Sequence, residues 1–429
     1  MYMTKTEYKN IGETLYSGTL PNGLRILVIP KPGFSSFYAV YGTNYGGAMR
    51  RFKIGGRLKD TPAGVAHFLE HKMFDMPDEV NALSVFSQNG ADPNAFTSSS
   101  NTCYFFHCTE GFEDNLRLLL RFVSTPWFTP ETVQKEQGII GQEIMMGEDS
   151  PGSVVYYNLL NLLYEHHPIR DKVAGTIESI AEITDRTLYD CHKVFYAPGN
   201  MVLVVEGDVD PEKVYSIARE VLPPEKSAVP GADFGAPDTA NPGNQKIEVE
   251  MPVASPQILV GCTNAKMVKE PGLDDLRERT VSMIALRLFA GPSTAFFSRL
   301  YSEGLVTNSI DADCDYSAGT STVMFSAEGP DPDRFFSELL EEADRIAKKG
   351  FDSKLFERTL KYSIGSQLRG YEDFDEVCVN ACIGLLDGHN IFDSYDLLES
   401  ITKKDCEDWI AANIRPERMA MSVVRPMKG

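Results

Sequence analysis

Three stretches in the second half of the chain echo three in the first, in the same order, and this duplication limits the fold more than any other feature. TSTVMFSAEGPDPDRFFSELLEEADRI (320–346) follows the pattern of NTCYFFHCTEGFEDNLRLLLRFV (101–123), each a strand running through a turn into an amphipathic helix. FDSKLFERTLKYSIGSQL (351–368) echoes FTPETVQKEQGIIGQEI (128–144), and IRPERMAMSVV (414–424) echoes YAPGNMVLVVEGDV (196–209). Between the copies, PPEKSAVPGADFGAPDTANPGN (223–244) is dense in Pro, Gly and Ala and has no periodicity, which is linker composition. The expected division is therefore 1–222, a linker over 223–244, and 245–429, each copy near the ~200 residues of an ordinary domain. Strands mixed with helices in each copy point to an α+β fold.

Within the first copy, LYSGTL and LRILVI flank Pro21-Asn22-Gly23, a hairpin turn, and FYAVYGT and MVLVVEG are further strands. Helices are expected over 112–123, from Pro130 to before Pro151, over 153–165, and from Pro211. The stretch GADPNAFTSSSNTCYFF (90–106) suggests strands broken at Pro93 and at a polar tip. Proline in a strand belongs at a sheet edge, where an extended peptide can add itself as a further strand.

Chemistry concentrates in TPAGVAHFLEHKMF (61–74), with Thr61-Pro62 as a helix start. At about 100° per residue, Val65, Phe68 and Leu69 share one face while His67, Glu70 and His71 converge on the other. Two histidines one turn apart can share a Zn²⁺, and a carboxylate between them can take a proton from water held there. His-x-x-Glu-His is the inverted zinc-peptidase motif. An open zinc site needs a third protein ligand. Glu136 or Glu143, two turns apart on one helix, can supply it. The second copy has Leu360 and Gln367 at the matching positions and no histidine near its start, so the metal belongs to the first copy alone. Cys378 and Cys382 share a helix face but have no companion ligand, and such thiols are ordinary core fillers. His166-His167-Pro168 likewise has no acidic or thiol partner at ligand spacing and is expected as a helix end.

A formal charge of -20 speaks against a phosphate-binding surface and hence against nucleic acid. No apolar run approaches the ~18 residues of a membrane span, and the opening MYMTKTEYKN has no leader pattern. The eight scattered cysteines suit reduced thiols, so the expected location is a cytoplasm.

With these motifs assembled, the chain resembles the pitrilysin, insulysin and mitochondrial processing peptidase family of inverzincins, and in particular its bacterial paired-chain members of the YmfH type. The resemblance rests on TLPNGLRILV (19–28), HFLEH (67–71), GADPNAFT (90–97), the Glu136/Glu143 pair and YAPGNMVLVVEGDVD (196–210). It implies zinc held by His67, His71 and Glu143, with Glu70 as general base and Glu136 as a supporting carboxylate. It implies substrate pinned at Asn94, Ala95 and Phe96 on an edge strand. It further implies two tandem homologous domains, each a mixed sheet with helices packed on one face, forming one half of a peptidase clamshell that takes unfolded peptides. A chain of this length then needs a partner, either a homologous subunit or a second copy of itself. Family members place an Arg and a Tyr in the second copy to hold substrate. Here FFSRLYSEGLVTNSID has Tyr301 at the Arg position and Thr307 or Asn308 at the Tyr position, with Arg299 two residues off. That departure favours a heterodimer whose partner carries the clamp. The alternative function is a non-catalytic scaffold subunit of the same fold.

Overall fold

The computed structural model describes residues 2–427 apart from 55, 78–79, 227–228, 232, 236–237, 239–244 and 265–271, so much of the segment expected as a linker lies outside the described residues. The strands are β1 (Thr4–Tyr8), β2 (Glu13–Thr19), β3 (Arg25–Pro30), β4 (Phe37–Thr43), β5 (Arg51–Ile54), β6 (Arg57–Asp60), β7 (Ala91–Thr97), β8 (Thr102–Cys108), β9 (Met201–Gly207), β10 (Lys246–Met251), β11 (Gln257–Thr263), β12 (Ile310–Asp315), β13 (Thr322–Glu328) and β14 (Met419–Pro426). One sheet runs β1-β2-β3-β9-β4-β8-β7 and a second β10-β14-β11-β13-β12, while β5 and β6 form a separate hairpin.

The duplication is visible in the pairing. β3 lies parallel to β9, and β9, β4, β8 and β7 follow antiparallel; β10 lies parallel to β14, and β14, β11, β13 and β12 follow antiparallel. Each mixed sheet carries its main helical layer on one face, as the α+β reading expects. In the first, the apolar stripes of helices Phe112–Ser124, Asp185–Phe195 and Pro211–Val221 pack with Ile26, Val28, Tyr41, Phe106 and Leu203.

The structure adds a helix on the opposite face of each sheet. Compact unit 1 comprises Met1–Ile144, Asp171–Gly235 and Leu368–Phe392, and unit 2 comprises Met145–Arg170, Ala236–Gln367 and Asp393–Gly429. These units differ from two contiguous spans because the copies exchange a helix. Phe374–Leu386 packs Val377, Cys378, Ala381 and Cys382 against Leu27, Val40, Val202 and Val204 in unit 1. Pro151–Leu163 lies against β11 and β14 in unit 2, where the following Tyr164 shares a hydroxyl bond of 2.7 Å with Thr322. Glycine makes room in both sheets: a Cβ on Gly42 would run into the Cys382 thiol, and one on Gly261 would lie 2.8 Å from Leu159. Among the described residues no single helix is long and apolar enough to cross a membrane.

Candidate metal centre

Helix Val65–Met73 starts on Gly64, with a left-handed φ of 96°, rather than on the Thr61-Pro62 pair that the sequence offers. Packing explains the shift. The Thr61 hydroxyl is spent on the Arg50 carbonyl at 2.9 Å, and a Cβ on Gly64 would stand 2.7 Å from the Ala174 carbonyl oxygen. Val65, Phe68 and Leu69 are buried behind the helix, as their spacing requires. On the other side the rings of His67 and His71 lie 4.6 Å apart between centroids.

Helix Pro130–Glu148 brings both glutamates to these rings and separates their positions. Glu143 spans the pair, with Oε1 3.3 Å from His67 Nε2 and Oε2 3.6 Å from His71 Nε2. Glu136 lies behind His71 and accepts a 3.0 Å hydrogen bond from Nδ1. The ligand atoms of His67, His71 and Glu143 fall within 4.8 Å of one another, and among the described residues no other trio of His, Cys, Asp or Glu does so. Ligands at ~2.0–2.2 Å from a tetrahedral zinc stand roughly 3.4 Å from each other, so the two Glu143 distances fit such an ion.

Charge in the cluster points the same way. Burial pulls the His71 imidazole down in pKa, but the hydrogen bond to Glu136 and the charges of Glu70, Glu136 and Glu143 outweigh it and raise the value. Glu143 is held below the usual carboxylate range, chiefly by its hydrogen bond with His67 and, against partial burial, by the charges of both histidines. The surrounding carboxylates thus favour positive charge at the imidazoles, the place a divalent cation would take.

Glu70 is 8% exposed and occupies the turn between the two histidines. Its Oε2 accepts a 2.7 Å hydrogen bond from the hydroxyl of Thr97, the last residue of β7. The sequence reading gave Thr97 no role. Its signal was parity alone, since Ala91, Pro93, Ala95 and Thr97 share one strand face and Ala91 and Ala95 meet the core that backs the histidine helix.

β7 is an edge strand of its sheet and continues unbroken through Pro93, where the sequence suggested an interruption. The N–H of Ala95 donates to its neighbour Asn94 Oδ1 at 2.8 Å, so it points away from β8. Pro93, two residues earlier, therefore stands where β8 requires no donor. Phe96 turns to the other sheet face and packs near Phe105, with ring centroids 6.2 Å apart.

In unit 2, Arg299 is engaged by its neighbours. Its Nη2 donates to Glu338 at 2.6 Å and its Nη1 lies 3.7 Å from Glu303, while Arg334 pairs with both glutamates. Tyr301, Thr307 and Asn308 are exposed. Cys378 and Cys382 are both buried with different neighbours, one 3.8 Å from Glu206 and the other 3.8 Å from Cys103. The N–H groups of Glu165, His166 and His167 all donate to the Asp238 carboxylate, which fastens that turn as a structural helix end.

The family model for insulinase (peptidase family M16) matches residues 53–177, and that for the peptidase M16 inactive domain matches 182–362. A relative named as the uncharacterized zinc protease YmfH of Bacillus subtilis (strain 168) is 34% identical over 428 residues, 98% of each chain. The crystal structure of an M16-like peptidase from Alicyclobacillus acidocaldarius matches with a TM-score of 0.91 at 30% identity, covering 100% of this chain and 99% of that one. The periplasmic protease PqqL from Escherichia coli shares the fold with a TM-score of 0.76 at 19% identity, over 96% of this chain but 47% of its own. With a relative this similar along nearly its whole length and with both domain models matched in tandem, the chain belongs to the insulinase family, peptidase family M16.

Proposed function

We propose that the chain is a zinc-dependent endopeptidase of the processing-peptidase type, the metal-bearing subunit of a heterodimer that hydrolyses unfolded peptides in an enclosed chamber of the bacterial cytoplasm. The observation that carries this is Glu143 standing across from both Nε2 atoms, with Glu70 buried between the two histidines. His67, His71 and Glu143 hold the ion, and Glu136 fixes the His71 ring through Nδ1. Zinc bound there supplies Lewis acidity toward the scissile carbonyl and toward water. Glu70 takes a proton from the attacking water and hands it to the leaving amine. Along β7 an extended peptide pairs with the outward groups of Ala95 once Asn94 releases that N–H.

A second chain is supported by length, since this one matches about half of PqqL. That the second chain differs from the first is supported by Arg299, already occupied by Glu338 and Glu303. The test starts from protein purified without added metal, with zinc measured by elemental analysis and cleavage of an unfolded peptide followed with and without a homologous chain that lacks the zinc motif. Near-stoichiometric zinc that His67→Ala abolishes, with cleavage appearing on mixing, is expected. Zinc absent from wild type and variant alike would point to the scaffold reading. Full activity of this chain alone would refute the heterodimer.

A further inference from the structure

Glu70 has three rotatable side-chain bonds, and a general base works only while its carboxylate faces the proton it takes. What fixes it here is a hydroxyl from another element. Thr97 Oγ1 donates to Glu70 Oε2 at 2.7 Å, and Thr97 is itself confined by Thr102, its cross-strand partner, whose Oγ1 lies 3.2 Å away. A hydroxyl carries one hydrogen, and that of Thr102 is spent on the buried Tyr45 carbonyl at 2.9 Å. Thr102 therefore has no hydrogen to give Thr97, whose own is directed to Glu70. With Oε2 tied, Oε1 remains to receive the proton.

We propose that Thr97 is the positioning residue for Glu70 and that, because it ends the edge strand β7, the strand that receives an extended peptide also orients the base. This rests on the peptidase reading above. Ala95, whose N–H faces outward, and Thr97 are two residues apart on one strand face, so a peptide paired along Ala95 stiffens the backbone that carries the Thr97 hydroxyl. Occupancy of the edge and orientation of the carboxylate are then coupled. The coupling is felt in turnover, since the hydrogen bond from Thr97 goes to Glu70, the base, and not to a metal ligand.

The experiment compares Thr97→Val and Thr97→Ser with wild type in the full chain mixed with its partner chain, reading zinc content, kcat and KM on an unfolded peptide. Crystal structures of the zinc-loaded variants give a second readout. Valine keeps the shape and removes the donor. It is expected to retain zinc, to lower kcat by ~10–100-fold with KM within about threefold, and to release the Glu70 carboxylate from its wild-type rotamer. Serine keeps the donor and is expected to restore both rate and rotamer. Wild-type kcat in the valine variant, a serine variant no better than valine, or a Glu70 carboxylate unmoved by valine would each overturn the proposal. A wild type without zinc or turnover would overturn the peptidase reading instead, and the Glu70 rotamer in the two variants would still decide the role of Thr97.

Discussion

Glu206 offers a sharp test of how the exchanged helix closes the first sheet. It is the penultimate residue of β9, with its side chain fully buried, Oε2 lying 3.8 Å from Cys378 on helix Phe374–Leu386 and Oε1 3.4 Å from Lys31. Lys31 also serves Glu13, at 2.6 Å, so its charge is shared. Burial therefore outweighs the Lys31 charge and hydrogen bond and carries the Glu206 carboxyl from 4.5 up to about 8. Below pH 4.5 both folded and unfolded chains hold the proton. Between pH 4.5 and about 8 the unfolded chain has released it and the folded chain has not, so the unfolding free energy falls as pH rises through that window and levels off above it. A shift of about 3.5 units at ~1.4 kcal/mol each sets an effect of roughly 3–5 kcal/mol. Glu206→Gln removes the titration and keeps the shape. Urea unfolding of both proteins at pH 5 and above pH 8 isolates it, because other titrating groups cancel in the difference. Because two compact units can unfold separately, hydrogen exchange of the β9 amides reports opening of this unit directly. Near parity at pH 5 and an advantage of ~3–5 kcal/mol for the variant at alkaline pH are expected. A difference independent of pH would mean that the carboxylate is ionised in the fold, with Lys31 winning over burial, and would refute the reasoning.

Glu143→Gln removes a ligand while Glu136→Gln removes only the charged partner of His71, so titration calorimetry should find zinc affinity nearly abolished in the first and reduced ~10–100-fold in the second; equal losses would contradict the separation of the two glutamates. Gly64→Ala imposes a left-handed alanine 2.7 Å from a carbonyl oxygen, and it should cost roughly 1–3 kcal/mol, seen as a fall of several degrees in the first melting transition. A fragment ending at residue 222 leaves Leu27, Val40, Val202 and Val204 without their covering helix and should bind a hydrophobic dye and aggregate; a monomeric fragment with a cooperative melt would overturn the exchange as a requirement for folding.

Much of this was legible in the residues because it rests on local pattern. The helix faces of Val65 to His71, the hairpin at Pro21-Asn22-Gly23 and the edge position of a strand with Pro93 follow from period and turn chemistry. The repeat appeared as echoing strand-helix segments, and the pairing of the two sheets matches it. What escaped lies in contacts between residues distant in sequence. Thr61-Pro62 has good capping chemistry, yet the Arg50 carbonyl claims the Thr61 hydroxyl. Glu136 and Glu143 are indistinguishable on a helical wheel, and only the side from which helix Pro130–Glu148 meets the histidines tells them apart. The hairpin of β5 and β6 does carry a turn signal, Gly55-Gly56 between Ile54 and Arg57, which the sequence reading passed over because the flanking strands are only four residues each. Continuous apolar runs such as LRILVI and MVLVVEG suit strands buried on both faces, yet the sequence reading placed helices on one face only, and nothing in those runs names the helix that covers the second.

That helix explains why a copy without metal ligands is still necessary to the copy that has them. Phe374–Leu386 follows Ser353–Gly370 in the second copy as Pro151–Leu163 follows Pro130–Glu148 in the first, so equivalent helices are traded. The sheet bearing the candidate metal centre has its second face covered by a helix of the other repeat, and the reverse holds for the sheet beneath Leu159. Leu360 and Gln367 can then stand where glutamates stand in the first copy without making that repeat dispensable, because what it contributes is apolar cover rather than ligands. The trade also starts at the metal site itself: Glu143 is the penultimate residue of the segment Met1–Ile144, and the same unbroken helix continues into the segment that belongs to unit 2. Helix Pro151–Leu163, anchored on β11 and β14, is thus separated by only two residues from the end of the helix that carries Glu143, although it lies in a unit that holds no metal ligand.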